Sequence, residues 1–336
     1  MKRRYLAGAA ILAAVAAGYL YNAGWRVAPP ENGELRLIAH RGVHQTFHRD
    51  ELASDTCTAE RIDPPRHGLL ENTIPSMQAA FASGADIVEL DVHPTTDGQF
   101  AVMHDWSVDC RTEGTGETRA HTMAQLRALD IGHGYTADGG RTYPFRGTRI
   151  GGMPELREVL SAMPAGKFLI NFKSREAREG DMLADLVSAN PQWRPAVWGA
   201  YGGDEPTFRA AARIDGLNVW SRRGLIDCVV QYMALGWTGW VPDPCRDTKV
   251  MIPINIAPWL WGWPNLLQAR LAEAGSQIIL LGPYGAGDPG TAGIDDLGAL
   301  ARIPEGFDGY VWTNRIEVIG PALKGLEPPQ IPDAPG

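Results

Sequence analysis

The chain is short of cysteine, with four in 336 residues, and no two of them stand at CxxC spacing. A structural zinc site is therefore not expected. Positive charge is scarce as well: the formal net charge is −8 at pH 7, and no basic run occurs beyond the N-terminus. Nucleic-acid binding needs a basic face, so a nucleic-acid partner is not expected. A small anionic substrate needs only local positive charge and stays open. No internal repeat is found, which argues against a solenoid or propeller.

What is present suits a globular chain, with 44% hydrophobic and 21% charged residues. The length allows one barrel-sized domain or two smaller ones. Residues 1–27 read as a targeting segment. Lys2, Arg3 and Arg4 precede the uncharged, apolar stretch Tyr5 to Trp25. Its length lies between the apolar core of a signal peptide and the about 20 residues of a spanning helix. Cleaved signal peptide and membrane anchor (residues 5–25) both remain open. Either way the basic end stays inside and the body crosses the membrane, to a periplasmic or extracellular location. Residues 28–34 form a Pro/Gly linker and residues 326–336 a Pro-rich tail, leaving 35–325 as the folded body.

The most informative stretch runs from His40 to Asp105. Three apolar runs of strand length end in polar side chains: LIAHRG (37–42), IVELDV (87–92) and FAVMHD (100–105), with LENT at 70–73 and TTDG at 95–98. Apolar runs read as buried strands, and the polar residues at their ends point into what the strands surround. Two imidazoles, two carboxylates and a guanidinium suit acid–base chemistry on an anion, with a hard cation present. Glu89 and Asp91 are two apart on one strand, so they share a face; buried together, they need a cation between them. An all-oxygen set suits Ca²⁺ or Mg²⁺. Arg41 is a natural bidentate phosphate fork, and Lys173 ends a further strand.

The ordered set HRG, ENT, ELDV, TxDG and HD resembles the glycerophosphodiester phosphodiesterase family. The resemblance is strong over His40 to Lys173, and YVWTN (310–314) looks like the family's closing strand. It implies an α/β fold, a (β/α)₈ TIM barrel, here with a long insertion after the first strand. Val43 to Leu70 fills a place where the family usually has only a few residues. The resemblance also implies hydrolysis of glycerophosphodiesters to an alcohol and glycerol 3-phosphate. His40 and His104 would be the catalytic pair, and the glycerol hydroxyl is thought to attack phosphorus first. One divalent metal ion would sit on Glu71, Glu89, Asp91 and Asn171, with phosphate on Arg41 and Lys173 and Trp312 and Asn314 lining the pocket. One departure stands out. The fourth strand normally ends E-x-K, but this chain has Asn171-Phe172-Lys173. A neutral amide oxygen replaces a carboxylate, so weaker metal binding is expected. A phosphodiesterase or lyase acting on lysophospholipid or sphingolipid headgroups is the enzyme alternative. A low-activity phosphodiester-binding protein is the other.

Four cysteines in an exported chain suggest disulfides, and the favoured pairing is Cys57–Cys110 with Cys228–Cys245. Cys57 lies in the insertion and Cys110 just after HD, so both are expected above one face. Nine candidate strands alternate with helices, which predicts a parallel sheet. Nine is one more than a closed eight-stranded barrel holds, and the surplus is expected among 217–221, 250–257 and 277–282. Helices are expected at Thr73–Ser83, where Ile74, Met77, Ala80 and Phe81 keep helical spacing, and at Pro154–Met163, with Pro at its first position.

Overall fold

The computed structural model describes residues 2–31, 33–53, 56–285 and 292–334. In chain order the strands are β1 (Leu35–His40), β2 (Ile87–Pro94), β3 (Phe100–Val102), β4 (Phe168–Phe172), β5 (Val197–Gly202), β6 (Asn218–Val219), β7 (Lys249–Pro253), β8 (Gln277–Leu281) and β9 (Gly309–Thr313). The helices are α1 (Lys2–Tyr21), α2 (Ile74–Ala82), α3 (Met123–Arg127), α4 (Leu156–Ala162), α5 (Ala177–Ala189), α6 (Asp204–Ala211), α7 (Arg222–Leu235), α8 (Asn265–Glu273), α9 (Leu297–Leu300) and α10 (Ile316–Lys324).

Among the described residues, eight parallel strands run in the order β6-β5-β4-β2-β1-β9-β8-β7. This is a nearly closed α/β barrel, open between its two edge strands. The gap is crossed by the Thr248 hydroxyl, which donates to the Val219 carbonyl on β6 at 3.3 Å. The surplus strand is not where the sequence suggested. All three suspected stretches join the barrel, although 217–221 shrinks to the two residues of β6. The extra strand is β3, which pairs antiparallel with β2 as a hairpin outside the barrel. The TTDG turn at 95–98 explains this: Gly98, at φ +76°, folds the chain straight back. His104 therefore follows a hairpin strand, not a barrel strand.

Alternation along each strand builds two cores. Leu37, Ala39, Val88, Leu90, Phe168 and Ile170 face the helices. Ile38, Ile87, Leu169, Ile279, Tyr310 and Trp312 fill the lumen. Strands buried on both faces explain the continuous apolar runs in the sequence. A third cluster joins the insertion to the segment after β3: Ala59, Ile62 and Leu70 pack with Met103, Val108, Met123, Tyr135 and Phe145. It forms a cap, stapled by Cys57–Cys110; Cys228–Cys245 is the second disulfide, as favoured.

Local sequence sets the caps. Thr122 caps α3 with Gln125 in a reciprocal capping box. For α4 the cap is Glu155, so Pro154 lies before the helix rather than at its first position. Among the described residues no helix is long and apolar enough to cross a membrane. The side chains of the basic N-terminal triplet (2–4) and the last two residues of the tail (335–336) lie outside the described ones.

Candidate active site

Strand register gathers the site at the C-terminal mouth of the barrel. His40 on β1 is level with Glu89 on β2, and Asp91 is level with Asn171 on β4. Neighbouring parallel residues point the same way, so β1, β2 and β4 place all four side chains into one lumen. Directly after β1 the chain turns sharply, with Arg41 at φ 59° and Gly42 at φ 80°. A Cβ on Gly42 would lie 2.2 Å from the Ser76 hydroxyl, so the turn against α2 requires glycine.

His40 is 5% exposed and rests 4.8 Å from the Trp312 ring. Its Nδ1 meets Asn314 Oδ1 at 2.6 Å. The Asn314 amide nitrogen donates to Asp295 Oδ2 at 2.8 Å, so its oxygen faces the histidine as an acceptor. Nδ1 therefore carries the proton, and the Nε2 lone pair points the other way, 3.8 Å from Glu89 Oε2. Burial, then the Arg41 charge, hold the His40 imidazole well below its ordinary pKa.

His104 comes from the cap. Its Nδ1 donates to Asp105 Oδ1 at 2.7 Å, and Arg111 Nε donates to Asp105 Oδ2 at 2.7 Å. Burial opposes ionisation of Asp105, but Arg111 and His104 outweigh it and hold the carboxyl far below its usual range. Burial, Arg41 and Lys173 lower the His104 pKa, partly offset by Asp91 and Asp105. Asp91 lies within electrostatic reach of both rings.

Glu89 and Asp91 are fully buried. Asp91 accepts from Asn72 at 2.9 Å and Asn171 at 2.8 Å, and pairs with Lys173 at 3.4 Å. Burial opposes its ionisation, yet Lys173 and Arg41 hold Asp91 strongly acidic. Glu89 accepts from the Tyr201 hydroxyl at 2.7 Å and is pushed up to about 8, by burial and then by Asp91. A raised carboxyl beside an ionised one marks an acid pair short of counter-charge.

The structure divides the expected metal ligands. Glu71 lies 3.2 Å from Arg41 and 3.2 Å from Arg111. Burial would raise it, but the two guanidiniums hold it below its ordinary value. It is already neutralised. Arg41, expected to fork a phosphate, is 7% exposed and spans Glu71 and Asp91, its Nε 3.2 Å from Asp91 Oδ2. Among the described residues no three His, Cys, Asp or Glu side chains group as a metal site. Glu89 and Asp91 do form an undercompensated oxygen pair with Asn171 beside them. The two acid oxygens fit one hard cation, and Asn171, whose amide nitrogen faces Asp91 and whose oxygen faces Gly202, joins them only with its amide turned over.

Sequence reasoning passed over Tyr201, Asn72, Arg111, Asp295 and His44. Most act through partners distant in sequence, and only the HD-x-x-x-x-x-R spacing offered a local signal, for Arg111. His44 is 4% exposed with its ring edge-on to His40 at 6.2 Å, and its Nε2 has no hydrogen-bond partner among the described residues.

The fold and site define a parallel α/β barrel carrying two histidines beside a buried acidic cluster. Residues 40–188, a little under half of the chain, match the model of the Glycerophosphoryl diester phosphodiesterase family, which supports that family for this chain. A glycerophosphodiester phosphodiesterase of Caldanaerobacter subterraneus subsp. tengcongensis is 37% identical over 103 residues, 31% of this chain and 39% of that protein. One from Bacillus subtilis is 36% identical over 96 residues, 27% of this chain and 30% of that protein. The chain thus spans well under half the length of these curated relatives. Among solved structures, the glycerophosphoryl diester phosphodiesterase domain of a Mycobacterium tuberculosis protein aligns with TM-score 0.56 and 16% identity, over 84% of this chain and 97% of that one. An Oleispira antarctica phosphodiesterase in complex with the product sn-glycerol-3-phosphate aligns with TM-score 0.50 and 17% identity, over 83% and 92%. At such identities the likeness shows the fold.

Proposed function

We propose that the protein hydrolyses glycerophosphodiesters to an alcohol and glycerol 3-phosphate, with His40 as base and His104 as acid. The observation that carries this is the contrast between the two ring partners. His40 leans on a neutral amide, Asn314, which orients the ring without stabilising its charge. His104 leans on the carboxylate of Asp105, which favours the protonated imidazole. His40 Nε2 then takes the proton of the attacking hydroxyl, and His104 Nε2–H gives one to the departing alcohol oxygen. The first step leaves a cyclic glycerol phosphate; His104 then takes a proton from water as it attacks phosphorus, and His40 returns one to the glycerol oxygen as the ring P–O bond breaks, to leave glycerol 3-phosphate.

Charge supports a divalent cation. With Glu89 ionised, the carboxylates Glu71, Glu89, Asp91 and Asp105 would outnumber the cations Arg41, Arg111 and Lys173 by one. Without a further cation Glu89 holds its proton instead, pushed up to about 8. Glu89, Asp91 and Asn171 would hold a Ca²⁺ or Mg²⁺ ion, which would make the cluster net positive and supply Lewis-acid stabilisation of the phosphoryl oxygens. Lys173, more exposed than Arg41 and Arg111, is the cation left to meet the phosphate. Two disulfides support an exported, oxidising location.

Purified protein is assayed with glycerophosphocholine, other diesters and lysolipids, after EDTA treatment and with added Ca²⁺ or Mg²⁺. Glycerol 3-phosphate released only with metal is the expected result. No product from any diester with any metal refutes the reading.

A further inference from the structure

We propose that Arg111 is a positioning residue for His104, and that the 43–70 insertion holds Arg111 in place through Thr58 and the Cys57–Cys110 disulfide. The proposal deepens the reading above and rests on it, because it assumes that His104 moves a proton.

Arg111 is 2% exposed. Its Nε donates to Asp105 Oδ2 at 2.7 Å, while Asp105 Oδ1 accepts from His104 at 2.7 Å. Arg111 holds Oδ2, and it reaches Oδ1 only through a longer 3.5 Å contact from Nη2, leaving His104 the short bond there. The carboxylate cannot turn without breaking one bond or the other, so the guanidinium plane sets the Asp105 rotamer, and Asp105 sets the imidazole plane. A planar fork with several fixed donors does this, and a single ammonium does not.

The far end of the guanidinium is held from the cap. Arg111 Nη2 donates to Thr58 Oγ1 at 2.8 Å and pairs with Glu71 at 3.2 Å. Nη1 donates to the Tyr135 hydroxyl. Thr58 follows Cys57, and Arg111 follows Cys110. The covalent link and the hydrogen bond therefore join adjacent residues of the same two segments, side by side. Among the described residues between Val43 and Leu70, regular structure is sparse: a bridge from Phe47 to Ile62 and one turn of helix at Ala59–Arg61. A loop of that length loses much entropy on ordering, and a crosslink at its middle removes part of that cost from the folding side. The staple adds to the packing of Ala59 and Ile62 in keeping Thr58 against Arg111. The length of the insertion, unexplained by the barrel, thus acquires a role: it brings a fixed acceptor to the residue that orients the acid.

The test uses the full-length oxidised protein and glycerophosphocholine. Thr58→Val keeps shape and disulfide but removes the acceptor. It is expected to lower kcat about three- to tenfold with KM within about twofold, the pattern of a misoriented catalytic group. Cys57→Ser/Cys110→Ser lowers kcat by about tenfold or more on the same grounds. Thr58→Ser restores the wild-type rate. Cys228→Ser/Cys245→Ser, which frees α7 from the segment before β7, leaves kcat unchanged. In ¹⁵N-histidine-labelled protein, the His104 Nδ1–H resonance, assigned with His104→Asn, shifts or broadens in the first two variants and not in the last. Unchanged kcat in both Thr58→Val and the Cys57/Cys110 variant overturns the proposal, as does a fall in kcat with the His104 resonance unmoved. If the cysteine variant does not fold, Thr58→Val decides alone. Should the wild-type protein turn over no diester, the proposed function fails, and the resonance still decides whether Thr58 positions His104.

Discussion

Asn314 Oδ1 accepts the Nδ1 proton of His40 at 2.6 Å across 274 positions of sequence. The contact exists because the last strand, β9, closes the barrel against the first, with Ala39 level with Thr313. Asp295 accepts from the Asn314 backbone at 2.6 Å and from its side-chain nitrogen at 2.8 Å, which fixes the amide the right way round. Asn314→Leu removes the acceptor and frees the tautomer. Its kcat is expected to fall about 100-fold with KM little changed, since a misprotonated base loses the general-base contribution. Asp295→Ala, which reaches His40 through Asn314, falls less. Steady-state kinetics on both variants, with circular dichroism to confirm folding, checks the order; a fully active Asn314→Leu would show that His40 needs no such partner.

The acid and base are separable by leaving group. His40→Ala and His104→Ala each lose about 10²- to 10⁴-fold on glycerophosphocholine, the usual value of a proton-transfer residue. A nitrophenyl phosphodiester departs without protonation. On that substrate His104→Ala is expected to recover most of its loss and His40→Ala none. Equal recovery, or recovery of His40→Ala instead, would reverse or remove the assignment.

Much of this was legible in the sequence because it is local. The i, i+2 pair Glu89 and Asp91, the apolar runs of β1 and β2, and the helical spacing of Ile74, Met77 and Ala80 in α2 all rest on short-range periodicity. The disulfides were legible through the position of Cys57 in an insertion facing the segment after HD. The hairpin nature of β3 was missed because an apolar run carries no sign of its direction. The commitments of Glu71 and Arg41 were missed for another reason: they depend on Arg111, a buried cation that only the cap brings within 3.2 Å of Glu71. Net charge counted along the chain says nothing about which carboxylate finds a guanidinium and which is left for a metal.

Asn171 separates those two fates. Its amide nitrogen donates to Asp91 Oδ1 at 2.8 Å, and its oxygen packs against Gly202, where a Cβ would approach within 2.3 Å. The size-matched Asn171→Asp replaces that donor with a third carboxylate. Calcium affinity, read by calorimetry without substrate, is expected to rise about tenfold or more, as oxygen-site affinity follows ligand charge. Without metal the same variant melts lower, because like charges crowd Asp91. The longer Asn171→Glu raises affinity less, since Gly202 leaves little room. Glu71→Gln changes calcium affinity less than Glu89→Gln, its charge being spent on arginines. Unaltered affinity in Asn171→Asp would place the cation elsewhere.

The Asp105–Arg111 pair predicts how stability depends on acid. The folded-state pKa of Asp105 is depressed, because Arg111 and His104 outweigh burial. A depressed carboxyl contributes stability that is present above its unfolded pKa, about 3.9, and is lost as pH falls through the folded value. Asp105→Asn leaves Arg111 buried with one charge partner fewer, costing roughly 2–4 kcal/mol at pH 7. That deficit should shrink as the pH is lowered from about 5 toward 2, where the wild-type carboxyl takes up its proton and forfeits the same attraction. Urea midpoints for both proteins across this range provide the measurement. A deficit that stays constant down to the acid limit would mean that the ionised form of Asp105 gains nothing from Arg111, and with it His104 would lose the charged partner that makes it the better proton donor.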